Sequence, residues 1–500
     1  MRADPRVQLS RELTAADAGP ALAALDARQL VVRVPDGVCD AEALTAAALL
    51  VLVSRTHAHV TLDRDVDLPP NAWNATSLGG LQSALSAVRP EPAGDATSVE
   101  VLDVGRVGGA SAGSLLLGAQ PWTAAVSDSD VLPPSDAAAP GAVYGGLLSA
   151  GLAAARLFRQ ALQPLGLPAA AEESLVVWNV VNHRRAPVPL GLEVRALPAW
   201  PAVALLACGS VGSSVAAALA CEDLTGLLAD AVDGDTFDVR RNTFRYPAST
   251  GVAAGAKAAW LAGMLRTRGA TAVEHDGTVG SWVRRRAAPG FDGIVVSSVD
   301  TVDGRFEVAD VLARETVSAA VSGLALHVQR ERLGDGLRCP YCDFVDLEPA
   351  LSRAAAEAAF LGLAETRLVE LIDDPAGLTQ ADVAAAVASG RVLAEDSAAL
   401  VGRRVDDLRA RVYAQGLVQV APAVPPVPVS APFVSWVAGV LCAAEVAKAA
   451  RGLPLIDRRT ELDLHGGPDD FVHRRSEDSS GRCACAVAVR RRWMARLYAR

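Results

Sequence analysis

The tightest constraint on this chain lies around residue 206. The apolar run Val203-Ala-Leu-Leu206 passes straight into the small-residue turn Ala207-Cys-Gly-Ser-Val-Gly212. A helical, alanine-rich segment follows at 213–220, and residues 227–232 are apolar again except for Asp230. A buried strand, a tight turn, a helix and a second buried strand make a β-α-β unit, the building block of parallel, doubly wound sheets. Gly209 and Gly212 fall on the second and third positions of a G-x-G-x-x-G turn, with Ala207 in place of the first glycine. Such a turn lets backbone amides and the positive end of a helix meet a phosphate. A tight turn packed by small residues in an alanine-rich chain answers to the same letters.

The chain has 500 residues, 51% hydrophobic and 21% charged, so it is globular, with a large core of small aliphatic side chains. At roughly 100–200 residues per domain the length predicts two to four domains. A net charge of −10 excludes a basic face for nucleic acid. The first residues have no apolar core of a signal peptide, and the apolar runs at 44–53 and 142–158 fall short of the ~20 residues of a membrane span. The expected location is the cytoplasm, away from membranes. Only Lys257 and Lys448 are lysines; the other basic residues are arginines, so a lysine here marks a place where arginine will not serve.

Residues 1–190 show strand-like runs at 47–53, 59–62, 99–104 and 123–126 and a helix at 142–163, a mixed α/β pattern. Residues 191–345 hold the β-α-β unit, further strands at 272–274 and 293–297, and helices at 255–266 and 308–323. Residues 346–430 form a helical insert, running to 416, and a proline-rich linker at 421–428. Residues 431–500 carry an apolar helix at 434–450, a polar stretch and a solvated basic tail at 490–500.

Asp233-Gly-Asp235 lies roughly 20 residues beyond the glycines, where a carboxylate takes ribose hydroxyls, and a nicotinamide dehydrogenase shares this feature. Asn242-Thr-Phe-Arg245, Gly255-Ala-Lys257 and Asp300 follow. Singly, these are a surface ion pair, a solvated helix residue or a loop cap. Together, an amide, a guanidinium, an ammonium and a carboxylate suit cleavage of an α,β-phosphate bond. That reaction places charge on the phosphate oxygens and needs a magnesium ion held in place.

In this order the motifs resemble those of the ThiF/MoeB/HesA adenylyltransferases of the ubiquitin-activating-enzyme-like superfamily. The resemblance covers about residues 203–485 and implies a doubly wound, Rossmann-like α/β adenylation domain with a zinc knuckle. By it, Gly209, Ser210, Gly212, Asp233 and Asp235 line the nucleotide, while Asn242, Arg245 and Lys257 bind and polarise the triphosphate of ATP. Asp300 holds Mg2+, and Cys339, Cys342, Cys483 and Cys485 hold Zn2+. Arg245, Lys257 and Asp300 would be the catalytic group. The substrate implied is the C-terminal carboxylate of a ubiquitin-like or sulfur-carrier protein or of a precursor peptide.

Three departures shape the expectation. Tyr246 stands where the family has glutamine, and Cys483-x-Cys485 is one residue shorter than the usual second cysteine pair. No cysteine lies between residues 343 and 441 to carry a thioester, while Cys39, Cys208, Cys221 and Cys442 are poorly placed. Adenylation without a conventional thioester is therefore expected. A non-catalytic peptide-presenting member and a nicotinamide oxidoreductase are the alternatives. Residues 1–190 would be either an inactive copy of the same fold or an unrelated docking domain. In the first case the chain is its own pseudo-dimer, with Arg28 or Arg159 reaching the nucleotide; a homodimer would serve the same end.

Overall fold

The computed structural model describes residues 18–92, 94–105, 114–128, 132, 143–165, 174–185, 198–238, 242–250, 255–332, 338–339, 341–342, 353–389, 392, 394–405, 407–408, 431–457, 459–464, 471–473, 478 and 480–498. The first part of the chain builds one sheet from β1 (Arg28–Arg33), β2 (His59–Leu62), β3 (Ser98–Val104), β4 (Leu115–Leu117), β5 (Thr123–Ser127) and β6 (Leu175–Asn179). Its order is β2-β1-β3-β4-β5-β6, parallel from β2 to β4 and antiparallel beyond.

The second sheet uses β7 (Val203–Leu206) and β8 (Leu228–Val232). A separate short antiparallel pair follows, β9 (Thr236–Phe237) with β10 (Gly255–Ala256). The sheet then continues with β11 (Thr271–His275), β12 (Phe291–Ser297), β13 (Ala313–Ser322), β14 (Ala325–Glu331), β15 (Arg459–Asp463) and β16 (Phe471–His473). Its order is β11-β8-β7-β12-β13-β14-β15-β16, parallel from β11 to β13 and antiparallel beyond.

From β2 and from β8 onward, six strands follow in the same order and sense. A helix leaves the first strand of each sheet, Asp40–Thr56 after β1 and Ser210–Leu219 after β7. Another precedes the sixth strand, Tyr144–Leu162 before β6 and Pro432–Ala450 before β15. These helices meet between the sheets in one continuous core.

Small residues permit the approach. A Cβ on Gly151 would lie 2.7 Å from Val437, and one on Gly439 would collide with Ser214. The Trp436 indole donates to the Leu147 carbonyl at 2.8 Å and its ring stacks on Trp73. Every residue of Pro432–Ala450 except Ala449 is buried. That helix is long and apolar enough to cross a membrane, yet it fills the centre of the fold.

Several expectations need correction. Residues 47–53 are not a strand but the middle of Asp40–Thr56, buried on every side from Ala43 to Thr56. An element apolar all round loses the periodicity that tells helix from strand. The helix expected at 308–323 is the end of Val302–Asp310 followed by β13, which Gly323 at φ +58° turns into β14. The 255–266 helix begins only at Lys257.

The insert contains three described helices, Arg353–Leu361, Glu365–Asp373 and Gln380–Ala388, around a small core of their own that includes Leu368, Leu371 and Val383. The proline-rich stretch at 421–428 lies outside the described residues, as does residue 142. The basic tail is not simply solvated. It forms the helix Ala488–Tyr498, whose Tyr498 hydroxyl donates to the Leu312 carbonyl at 2.6 Å and accepts from the Phe291 amide at 2.9 Å.

Candidate functional site

The turn after β7 is shaped by backbone constraints. Ala207 sits at φ +70°, a conformation that favours glycine, which is why the first position of such turns is usually glycine. Its carbonyl accepts from the Ser298 hydroxyl at 3.0 Å, and a Cβ on Gly212 would collide with it, so Gly212 is required for the helix to close on the strand end. Gly209 caps the helix, and a Cβ there would meet only the Tyr246 hydroxyl, at 3.9 Å. Open space therefore lies over the helix N-terminus, where backbone amides and the helix dipole favour an anion.

Asp233, directly after β8, accepts from the Cys208 amide at 2.6 Å and the Asp235 amide at 2.8 Å. It braces the turn, and burial raises its pKa. Ser210 is buried, its hydroxyl accepting from Ser435 at 3.0 Å, so it ties the turn to the central helix Pro432–Ala450.

The β9/β10 pair carries Lys257 to Asp235. The Lys257 amide donates to the Asp235 carbonyl at 3.0 Å, and Nζ meets Oδ2 at 2.8 Å. Burial works against the ammonium, but Tyr246, Asp235 and Asp233 outweigh it and raise its pKa, so Lys257 is a charged, 8% exposed cation. The Asp235 side chain is 68% exposed and keeps acceptor capacity.

Asn242 accepts from the Asp238 amide at 2.7 Å and so caps the turn that presents Arg245 and Tyr246. Arg245 has a buried Nε with no hydrogen-bond acceptor among the described residues. Tyr246 packs edge-on against Phe237 at 5.3 Å, and burial raises its pKa.

Lys257, Arg245 and the amides of the turn thus supply positive charge, while Asp235 supplies an exposed acceptor. Asp300 is less tightly placed. It lies exposed two residues beyond Ser298, just before the helix that Thr301 caps.

The four paired cysteines come together although 144 residues separate Cys339 from Cys483. All four are buried, with sulfur atoms within 4.8 Å of one another and neighbouring pairs at 3.4 to 3.7 Å. Tetrahedral zinc with Zn–S bonds of about 2.3 Å spaces its sulfurs by about 3.8 Å, so this all-thiol donor set fits a closed zinc site. Met494, from the C-terminal helix, packs on the cluster.

Among the remaining cysteines, Cys208, Cys221 and Cys442 are buried and their pKa values are raised by burial, that of Cys221 to about 12. Cys39 is exposed at the start of Asp40–Thr56, and partial burial raises it too. None of the four is an activated thiolate.

Neither arginine expected to reach across does so. Arg28 pairs with Glu100 at 3.1 Å, and Arg159 donates to the Leu464 carbonyl at 2.7 Å. Two other residues of the first half reach the loop that carries Arg245. Arg55 donates to the Tyr246 carbonyl at 3.1 Å and to the Ser249 carbonyl, and the Trp73 indole donates to Pro247 at 3.1 Å. The only sequence signal for Arg55 is a cation closing an apolar run, an unfavourable place unless its donors are satisfied.

No protein-family model matches the chain, and no curated protein matches its sequence. Solved structures of E. coli MccB are similar to it. One, with MccA-N7isoASN, is 12% identical over 57% of this chain and 66% of that one, with a TM-score of 0.33. Another, with ATP, is 14% identical over 57% and 67%, with a TM-score of 0.31. The chain spans about two-thirds of their length, and a likeness at this identity and score identifies neither a family nor an activity.

Proposed function

We propose that the chain is an ATP-dependent adenylating enzyme acting on the C-terminal carboxylate of a ubiquitin-like or sulfur-carrier protein or of a peptide. The observation that carries this reading is the buried Lys257 ammonium held on Asp235 beside the open helix N-terminus at Gly209, with Arg245 on the adjoining loop. Asp235 would take the ribose hydroxyls. Lys257, Arg245 and the turn amides would neutralise the phosphates, and Asp300 would hold the magnesium that balances charge on the departing pyrophosphate.

A carboxylate oxygen attacks the α-phosphorus, the bond to the bridging oxygen breaks, and pyrophosphate leaves. This chemistry needs positioning and positive charge rather than a protein nucleophile, in keeping with Cys39, Cys208, Cys221 and Cys442, whose thiols are all raised by burial. The four-cysteine cluster would hold a structural zinc. The shared strand order favours reading residues 1–190 as a degenerate copy of the same fold, which makes the chain its own pseudo-dimer. The cytoplasm is the location this chemistry suits.

ATP–pyrophosphate exchange with Gly-Gly-terminated carriers and peptides tests the reading. Exchange that disappears in Asp300→Ala is expected. Peptide binding without exchange would replace it with a non-catalytic presenting role, and NADH binding without ATP binding with an oxidoreductase.

A further inference from the structure

We infer that Arg55 is a positioning residue of the nucleotide site, lent to it by the opposite half of the molecule; this rests on the nucleotide reading above. Arg55 lies in the last turn of Asp40–Thr56 and is fully buried. Its guanidinium donates to three carbonyl oxygens, that of Val51 at 2.6 Å in its own helix and those of Tyr246 and Ser249 in the other half. With Trp73 on Pro247, side chains of the first half hold the carbonyls of 246, 247 and 249.

The same segment is continuous with the turn that presents Arg245. The Tyr246 amide donates to the Asn242 carbonyl at 3.0 Å, and the Ser249 amide to the Tyr246 carbonyl at 2.9 Å. The clamp therefore fixes the C-terminal side of the Asn242–Arg245–Tyr246 turn, and Asn242 fixes its N-terminal side.

A guanidinium is a poor choice for mere cohesion. Burial lowers Arg55 to about pKa 9, and the three groups its guanidinium donates to are all neutral carbonyls. Burying a charge without a carboxylate is costly, whereas alanine, glycine and tryptophan already join the halves elsewhere. What only a guanidinium provides is a planar fork of donors that sets several carbonyl oxygens at once. At this position that geometry fixes the loop that carries Arg245 and sets the Tyr246 hydroxyl over Gly209, 3.9 Å from where a Cβ would stand. Arg55 acts through the loop and does not itself touch phosphate.

The test compares MgATP with adenosine, which lacks the groups Arg245 would meet. Arg55→Met should weaken MgATP binding at least ~10-fold and leave adenosine within about 2-fold, since a displacement near 1 Å suffices for such losses. Combined with Arg245→Ala, its effect on MgATP should be strongly sub-additive, because both changes act on one guanidinium. Should Arg55→Met fail to fold, Trp73→Phe removes one N–H donor, keeps a ring against Trp436, and should give a smaller loss with the same selectivity.

Equal losses for MgATP and adenosine, or additivity with Arg245→Ala, would overturn the inference and leave Arg55 as a fold contact. Wild-type protein that binds no MgATP would overturn the nucleotide reading, and the inference with it. Wild-type binding that neither variant disturbs would overturn the inference alone.

Discussion

The two halves put corresponding segments to different ends. After β2 comes Asp63-Arg-Asp65, and after β8 comes Asp233-Gly-Asp235. In both, the first aspartate braces the turn after the first strand: Asp63 accepts from the Val34 amide at 3.3 Å, as Asp233 does from Cys208. The second aspartates diverge. Asp235 faces Lys257, whereas Asp65 accepts from the Ser77 hydroxyl at 3.0 Å and the Gly79 amide at 2.6 Å, closing the N-terminus of the helix Leu78–Leu85 on itself.

Where the second half has Asn242-Thr-Phe-Arg245, the first has Asn71-Ala-Trp-Asn74, and where one helix opens with Lys257 the other opens with a buried Leu78. One backbone plan therefore serves twice. The second half has Asp235, Arg245 and Lys257 where the first has the capping Asp65, Asn74 and the buried Leu78. The first half contributes instead Trp73 and Arg55, directed at its neighbour.

The largest effect that would break this contrast is at Lys257. Lys257→Arg keeps the charge but cannot place a single compact ammonium on Asp235, and adenylation should fall by ~100-fold or more. Pyrophosphate exchange at wild-type rates would show that the second half does not depend on that geometry.

The converse change, Leu78→Lys with Asn74→Arg, should not create a second nucleotide site, because Asp65 is already engaged with its own helix. It should instead destabilise the protein by several kcal/mol through burial of an unpaired charge, read as a lower denaturation midpoint with MgATP stoichiometry unchanged at one.

Metal removal should act on one corner only. A chelator or Cys485→Ser should loosen Ala488–Tyr498, seen as faster hydrogen exchange there and in the strand start at Phe291. The interface between the halves should keep its protection.

The smallest effect concerns the junction of the halves. His183 is buried, with Nδ1 2.8 Å from the Thr460 hydroxyl and Nε2 3.3 Å from Glu445, which also holds the buried Lys448. Burial lowers the His183 pKa from 6.5, so the folded state takes up this proton less readily than the unfolded chain. Stability from this source is present above pH 6.5 and is lost as the pH falls below it. Glu445 reinforces the trend at lower pH: burial alone would raise its pKa, but Lys448 and His183 hold it below the usual carboxylate range. Denaturant midpoints should fall on mild acidification, and His183→Gln should flatten the slope just below pH 6.5.

Much of the second half was legible because its signals are local. The strand ending at Leu206, the glycine at 212 and the carboxylate at 233 each answer to backbone geometry within a few residues. The cysteine pairs were legible because each pair lies within three residues in sequence. The middle of Asp40–Thr56 was not, since uniform burial erases periodicity. Nor was β13, whose alanines read as helix until pairing with β12 and β14 decided otherwise.

The sequence by itself determined which charged side chains of the second half follow the turn after β7, because those residue types and spacings follow from short-range backbone rules. Only the tertiary structure decided that the first half repeats the strand order, that its own turn is closed by Asp65, and that Arg55 crosses to Tyr246 and Ser249. These are contacts between residues up to 194 positions apart. Packing of the central helices sets them, and no local pattern records it.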